Sequence, residues 1–290
     1  MANACSEGVD IGFATLGYAK VAVLGVVQGI TELLPISSTA HMRIVPALLG
    51  WQDPGSAFSA AMQLAALAAV ISYFWRDVTG LVGGTVTAVR TGNYSSPTWR
   101  LAVGIVLATI PIVVVGLALS PLLNRCDSPL RGIVVIGVSM VALAVLLGLA
   151  ERIAKHRRSV EDMRLRDALI VGVAQAGALI PGISRSGSTL TAALFRDLKR
   201  EEAARFSFLI GIPAIALAGL HEIWVLHKAH IPSEAWHVLI FGLIIASLSA
   251  FATIWGLMRF LERFSTWPFV FYRAAIGILL LAGAAAGWLA

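Results

Sequence analysis

Two long apolar stretches of this chain, 13–49 and 168–195, are each interrupted near the middle by proline: Pro35 in the first, Pro181-Gly182 in the second. Proline removes a backbone donor and clashes with the turn before it, so a helix that meets it stops or kinks. Hydroxyls able to cap a new helix follow each break, Ser37-Ser38-Thr39 in one case and Ser184-Arg185-Ser186-Gly187-Ser188-Thr189 in the other. The halves left on either side are too short to cross about 30 Å of hydrocarbon. Inside a bilayer such broken backbone survives only where protein or a water-filled cavity satisfies it. Each stretch is therefore read as a re-entrant helical hairpin, the alternative being a continuous spanning helix kinked by its proline. Several hydroxyls and a charge close to the break favour the hairpin.

The rest of the chain supplies the bilayer reading. Apolar residues make up 58% of it and charged residues 13%, with a mean hydropathy of +0.84, far from a soluble average. Six stretches are long and apolar enough to cross unaided: 58–75, 101–119, 132–150, 206–226, 237–258 and 268–290. Pro111 stands alone in one of them and reads as a simple kink. The fold class is thus all-α and polytopic, a single integral membrane domain over 1–290. Glu7 and Asp10 precede the first basic residue, Lys20, so the N-terminus lacks the positive region of a cleaved signal peptide. Cys5 and Cys126 show no metal or redox spacing and read as free thiols.

A formal charge of +6 would suggest nucleic acid in a soluble protein, but here Lys and Arg collect in short connections. Placing Arg76 to Arg100 inside puts fifteen basic residues in inner loops, against Arg125, Arg131 and Lys228 outside. In that orientation the first hairpin enters from outside, past a basic-free segment at 50–57, and the second from inside. The chain then divides into upside-down halves, about 13–150 with the hairpin 13–49 and about 167–290 with the hairpin 168–195, each hairpin followed by three spans. Gln28 and Gln175 open the two motifs, and Phe58-Ser59 and Phe206-Ser207 begin the spans that follow. Inverted repeats of this kind form their site near the midplane, where the discontinuous helices meet.

Glu32, His41, Arg43 and Arg185 fall in the hairpins. An ionised side chain at a helix centre costs about 2.5–3.5 kcal/mol even on the lenient scale, so these are not expected to face lipid. Gln28 and Glu32 are four residues apart and share a helix face, suited to a cation or a mutual hydrogen bond. Glu32 could instead serve as a salt-bridge partner holding Arg185. The hydroxyls of Ser184, Ser186, Ser188 and Thr189 at a half-helix N-terminus, with Arg185 among them, read as an anion cradle; ordinary capping would account for one hydroxyl. Ser37, Ser38 and Thr39 stand at the other break. His41 lies three residues after Ser38, within reach as a base for a hydroxyl nucleophile or for water. His221, Glu222 and Arg273 are read as interfacial anchors or loop contacts.

QGITELLPISSTAH and PGISRSGST resemble the two signature motifs of the bacterial undecaprenyl-diphosphate phosphatase, or bacitracin-resistance, family. The likeness extends to FSAAMQLAALAAV, FSFLIGIPAIAL and Tyr272-Arg273. It implies a helical membrane protein with inverted repeats that removes the terminal phosphate of undecaprenyl diphosphate, recycling the lipid carrier of cell-wall synthesis. It also implies a bacterial inner-membrane location, a site opening to the periplasm, and a divalent cation, Mg²⁺ or Ca²⁺. By the same resemblance Glu32 is a cation ligand or base, Ser38 the nucleophile, His41 its acid/base partner, and Ser184, Arg185 and Thr189 diphosphate binders. Many family members carry Glu where this chain has Gln28, which removes one anionic ligand and leaves Glu32 the principal metal candidate. The partners so implied are an isoprenoid diphosphate and membrane lipid, with no nucleic acid; a homodimer is compatible with the reading. The rival function is a polyprenyl-phosphate transporter or flippase, since alternating-access carriers also use inverted repeats and broken helices.

Overall fold

The computed structural model describes residues 5–6, 9–123, 130 and 132–287; Cys126, Arg125 and Arg131 lie outside the described residues. A two-residue antiparallel ladder, Cys5–Ser6 against Val9–Asp10, precedes eleven described α-helices. These are α1 (Gly17–Leu33), α2 (Ser38–Leu48), α3 (Ser56–Tyr73), α4 (Trp75–Thr91), α5 (Pro97–Leu123) and α6 (Ile133–Ile153), then α7 (Leu165–Ala176), α8 (Arg185–Phe195), α9 (Arg200–Lys228), α10 (Ser233–Arg263) and α11 (Trp267–Ala285). Six of them, α3, α5, α6, α9, α10 and α11, are long and apolar enough to cross a membrane. They correspond to the six stretches read from sequence. Large apolar side chains on their outer surfaces, among them Val106, Leu117 and Leu248, stay exposed, which suits lipid.

Sequence and structure part at 76–100, read above as a loop. Its first part is α4, with Trp75, Val82, Val86 and Val89 exposed along one side and Ala88 buried on another. Gly92 ends it in the left-handed conformation, at φ 68°.

Proline alone does not break a helix in this protein. Pro46 and Pro213 sit inside α2 and α9, and α5 runs through Pro111. Pro35 and Pro181 differ because a serine that can cap a new helix follows within three residues. The four pieces so made, α1, α2, α7 and α8, have 17, 11, 12 and 11 residues. At 1.5 Å per residue they reach roughly 25, 16, 18 and 16 Å.

Each broken pair begins and ends on one side of the molecule. Before α1, the Phe13 amide donates to Pro54 O at 2.9 Å, beyond the end of α2. Asp167 in the first turn of α7 accepts from Arg196, just past α8, at 2.7 Å. These two mouths lie at opposite ends of the bundle, because α3 starts beside Pro54 and leads to Asp77, which is ion-paired to Arg205 near the start of α9.

The first arms are also packed reciprocally. α1 lies against α10, and α7 against α5. Both contacts are close because glycine faces backbone: a Cβ on Gly29 would stand 2.5 Å from Ala246 O, and one on Gly172 2.5 Å from Ala108 O. Small residues that let helix backbones approach are the usual interface of membrane bundles.

An ionic belt ties the second mouth together. Buried Glu151 takes Arg200 and the Thr266 hydroxyl, the latter at 2.9 Å, and Asp167 takes Arg158 and Arg196, each at 2.7 Å. Burial pushes the Asp167 carboxyl up, but bonds from Arg158, the Arg164 amide and Arg196 outweigh it and hold the group below the usual carboxylate range.

Candidate active site

The two breaks meet, and the same local chemistry builds both. Leu34, before Pro35, is extended at φ −68°, ψ 145°, as a residue preceding proline must be when the helix ends. Ser37 then adopts φ 76°, a left-handed conformation costly for a residue with a side chain and one that tends to mark functional sites. Its hydroxyl caps α2 by accepting from the Ala40 amide at 3.4 Å. In the second motif Gly182 takes φ 94°, and Ser184 caps α8 by accepting from the Gly187 amide at 3.1 Å. The first helical residue after each cap is Ser38 in one motif and Arg185 in the other. Two half-helix N-termini, each carrying free N–H groups and positive dipole, thus converge.

Glu32 joins them. Its carboxylate Oε2 accepts from the Ser38 hydroxyl at 2.6 Å and from Gln28 Nε2 at 3.1 Å, while Oε1 accepts from Arg185 Nη2 at 3.4 Å. Buried and charged, it would be untenable without these donors. Arg185 keeps Nε and Nη1 buried with no described partner, two unsatisfied donors beside the cavity that the residue lines. Gly211 of α9 makes room for this guanidinium, since a Cβ there would stand 2.1 Å from Nη1.

A cavity of about 170 Å³ opens over these groups, lined by Glu32, Ser37, Ser38, Thr39, Ser184 and Arg185 together with Gln63 of α3 and apolar residues of α5 and α9. The remaining second-motif hydroxyls do not line it. Ser186 reaches Glu32 O and Leu34 O at 3.2 and 3.1 Å, tying α8 to the end of α1. Ser188 donates to Arg185 O, and Thr189 bonds Arg185 O and the Ser207 hydroxyl. The expected cradle of four hydroxyls therefore contracts to Ser184, because one helix turn points the others back into the protein.

The Ser38–His41 contact anticipated from spacing does not form. His41 Nδ1 meets Ser37 O and its Nε2 meets the Tyr272 hydroxyl, both at 2.7 Å. A carbonyl can only accept, so Nδ1 carries a proton and a neutral ring accepts from Tyr272 at Nε2. The imidazole and phenol also stack, with ring centroids 5.7 Å apart.

Of the two readings of Arg273, interfacial anchor or loop contact, the structure bears out the second. Its side chain is 0% exposed at the centre of the molecule, donating to Pro35 O at 3.1 Å and Gly182 O at 2.9 Å, one carbonyl from each break. Tyr272 and Arg273 were thus underestimated from sequence. The available signal was an arginine well inside an apolar span, where a charge is a functional candidate by default.

No group of three or more His, Cys, Asp or Glu that could hold a metal occurs among the described residues. Glu32 is the one carboxylate of the cavity, and Oε1 has a single long contact. This donor set fits a cation carried in by phosphate oxygens and water, not a cage made by the protein.

The model of the bacitracin resistance protein BacA family matches residues 21–279. The chain belongs to this family. It is 68% identical to undecaprenyl-diphosphatase 2 of Mesorhizobium japonicum, over 91% of this chain and 100% of that one. Likeness to the undecaprenyl-diphosphatases of Gloeobacter violaceus and Trichormus variabilis is 49% and 46%, over 94% and 98% of this chain and 94% and 89% of theirs. The family match takes in both breaks, Gln63 and Arg273.

Proposed function

We propose that this protein hydrolyses undecaprenyl diphosphate to undecaprenyl phosphate and inorganic phosphate, returning the lipid carrier to cell-wall synthesis and conferring resistance to bacitracin. One observation carries the reading: a single carboxylate, Glu32, holds a serine hydroxyl and a guanidinium at the mouths of two converging half-helices. The broken pairs are re-entrant hairpins of an inverted repeat, about 13–150 and about 167–290, in the bacterial inner membrane, with the cavity reached from the periplasmic side. Fifteen inner against three outer basic residues support that orientation.

The diphosphate enters the cavity while its isoprenoid tail remains in lipid. The Arg185 guanidinium and the first amides of α8 take the terminal phosphoryl oxygens, and stabilise charge that develops there. Glu32, 2.6 Å from the Ser38 hydroxyl, accepts its proton as Oγ attacks the terminal phosphorus. The bridging P–O bond breaks and undecaprenyl phosphate leaves. Water then attacks the phosphoserine, giving up a proton as the Ser38 oxygen regains one, and inorganic phosphate departs. His41, Tyr272 and Arg273 act one step away, fixing α2 against α11. Glu32 Oε1 would hold a Mg²⁺ or Ca²⁺ ion together with substrate oxygens, supplying charge neutralisation to the diphosphate.

The test is phosphate release from undecaprenyl diphosphate by purified protein in detergent with Mg²⁺, beside Ser38→Ala and Arg185→Ala. Turnover by wild type and its loss in both variants is the expected result. Folded wild type that binds the lipid diphosphate and releases no phosphate would point instead to a lipid carrier.

A further inference from the structure

We infer that Gln63 is a substrate-contacting residue, its carboxamide N–H donating to a non-bridging oxygen of the diphosphate held by Arg185; this rests on the phosphatase reading above. Gln63 is a polar residue in the otherwise apolar run Ala60–Val70 of α3. It is half-buried and lines the cavity with Glu32, Ser38 and Arg185, across from Ala214, Ile215 and Ala218 of α9. It makes no hydrogen bond to any described residue. Its amide atoms are not buried and are reachable from the cavity, where a ligand can pair with them.

Its counterpart in the other half sharpens the point. Gln63 lies five residues after Phe58, and Gly211 five after Phe206. At the second position the side chain is missing, and the guanidinium of Arg185 fills the space so left. At the first, an amide projects into the same cavity. One polar arm thus comes from each half, Arg185 beside α9 and Gln63 from α3, with Glu32 and Ser38 between. The cavity already holds an acceptor in Glu32, and the phosphoryl oxygens are themselves acceptors, so the amide N–H is the end of Gln63 with work to do. A donor to a charged oxygen is stronger than a neutral bond and survives into the transition state.

The experiment is steady-state phosphate release from undecaprenyl diphosphate by wild type, Gln63→Leu and Gln63→Glu, with inorganic phosphate as competing inhibitor and thermal melting in detergent. Gln63→Leu is expected to lower kcat/KM by about 10- to 100-fold, the range for a hydrogen bond to a charged group. Inhibition by inorganic phosphate should weaken in the same variant, which a purely structural role would not produce. Gln63→Glu keeps the shape and removes the donors, so it guards against misfolding of the leucine variant; its kcat/KM should fall at least as far and not recover as Mg²⁺ is raised. Wild-type turnover with Gln63→Leu within twofold of it would overturn the inference alone. So would a Gln63→Glu enzyme restored by Mg²⁺, which would make the side chain oxygen a cation ligand. A folded wild type without phosphate release would overturn both this inference and the phosphatase reading.

Discussion

Replacing Glu32 by Gln and His41 by Asn should have very different consequences, although both residues are ionisable and both lie near Ser38. In the first variant the side chain keeps its shape, and its carbonyl can still accept from Ser38, but it cannot take the proton. A general base contributes about 10²- to 10⁴-fold. The Arg185 contact, already long at 3.4 Å, also loses its negative partner. A charge-assisted hydrogen bond is worth about 1.5–3 kcal/mol, and each 1.36 kcal/mol is tenfold, so kcat should fall by at least about 10³ in all. In His41→Asn the loss is of a bond to Tyr272 and one to Ser37 O, neither to a reacting atom. Loosening of α2 on that loss should cost up to about 10²-fold, with the pH dependence of kcat otherwise unchanged. Phosphate release in detergent at saturating lipid, scanned over pH, measures both. A His41→Asn loss equal to or larger than that of Glu32→Gln, or disappearance of an essential ionisation in the histidine variant alone, would refute the assignment of Glu32 as base.

Other outcomes follow from the same geometry. Arg273→Met should lower the melting temperature and the activity together, since two buried carbonyls lose a donor; Arg273→Lys, able to reach one of them, should restore part of both. Gly211→Ala should reduce kcat/KM by up to about 100-fold while melting is little changed, because its methyl group meets the movable end of Arg185 and not backbone. For Asp167 the folded pKa lies below its ordinary value of about 3.9, so its stabilising contribution is full above that pH and is lost as pH falls through the folded pKa. Acid melting curves of Asp167→Asn should therefore converge on wild type as pH falls below the ordinary carboxylate range and diverge above it.

The six spans were legible because hydropathy needs only composition over a window, and the bilayer sets the window's length. The breaks at Pro35 and Pro181 were legible too, since a capping serine follows each. Pro46 and Pro213 show what proline does without one: it is absorbed into the helix. The pairing of side chains was harder to read. Ser38 and His41 are neighbours by spacing, yet the left-handed Ser37 turns Ser38 toward Glu32 and leaves the imidazole to Tyr272, 231 positions away. No local pattern announces a partner at that distance. The partners of Arg273 are hidden for a similar reason, because what it binds are two backbone carbonyls, which have no signature in a sequence. Gln63 lies in FSAAMQLAALAAV, where one amide among apolar residues forms no local pattern, and its place in the cavity wall emerges once α3 is seen to face both breaks. From sequence α4 reads as a loop because its glycines and threonines weaken the helical signal that its exposed valines carry.

Attack of Ser38 on the terminal phosphorus, with Glu32 as its base, passes through a phosphoserine that can be trapped. The most direct measurement is acid quench of enzyme turning over undecaprenyl diphosphate, followed by mass spectrometry of the peptide containing residues 37–39. Phosphate on Ser38 in wild type, with turnover abolished in Ser38→Ala, is the predicted result. Sustained phosphate release by folded Ser38→Ala would contradict it.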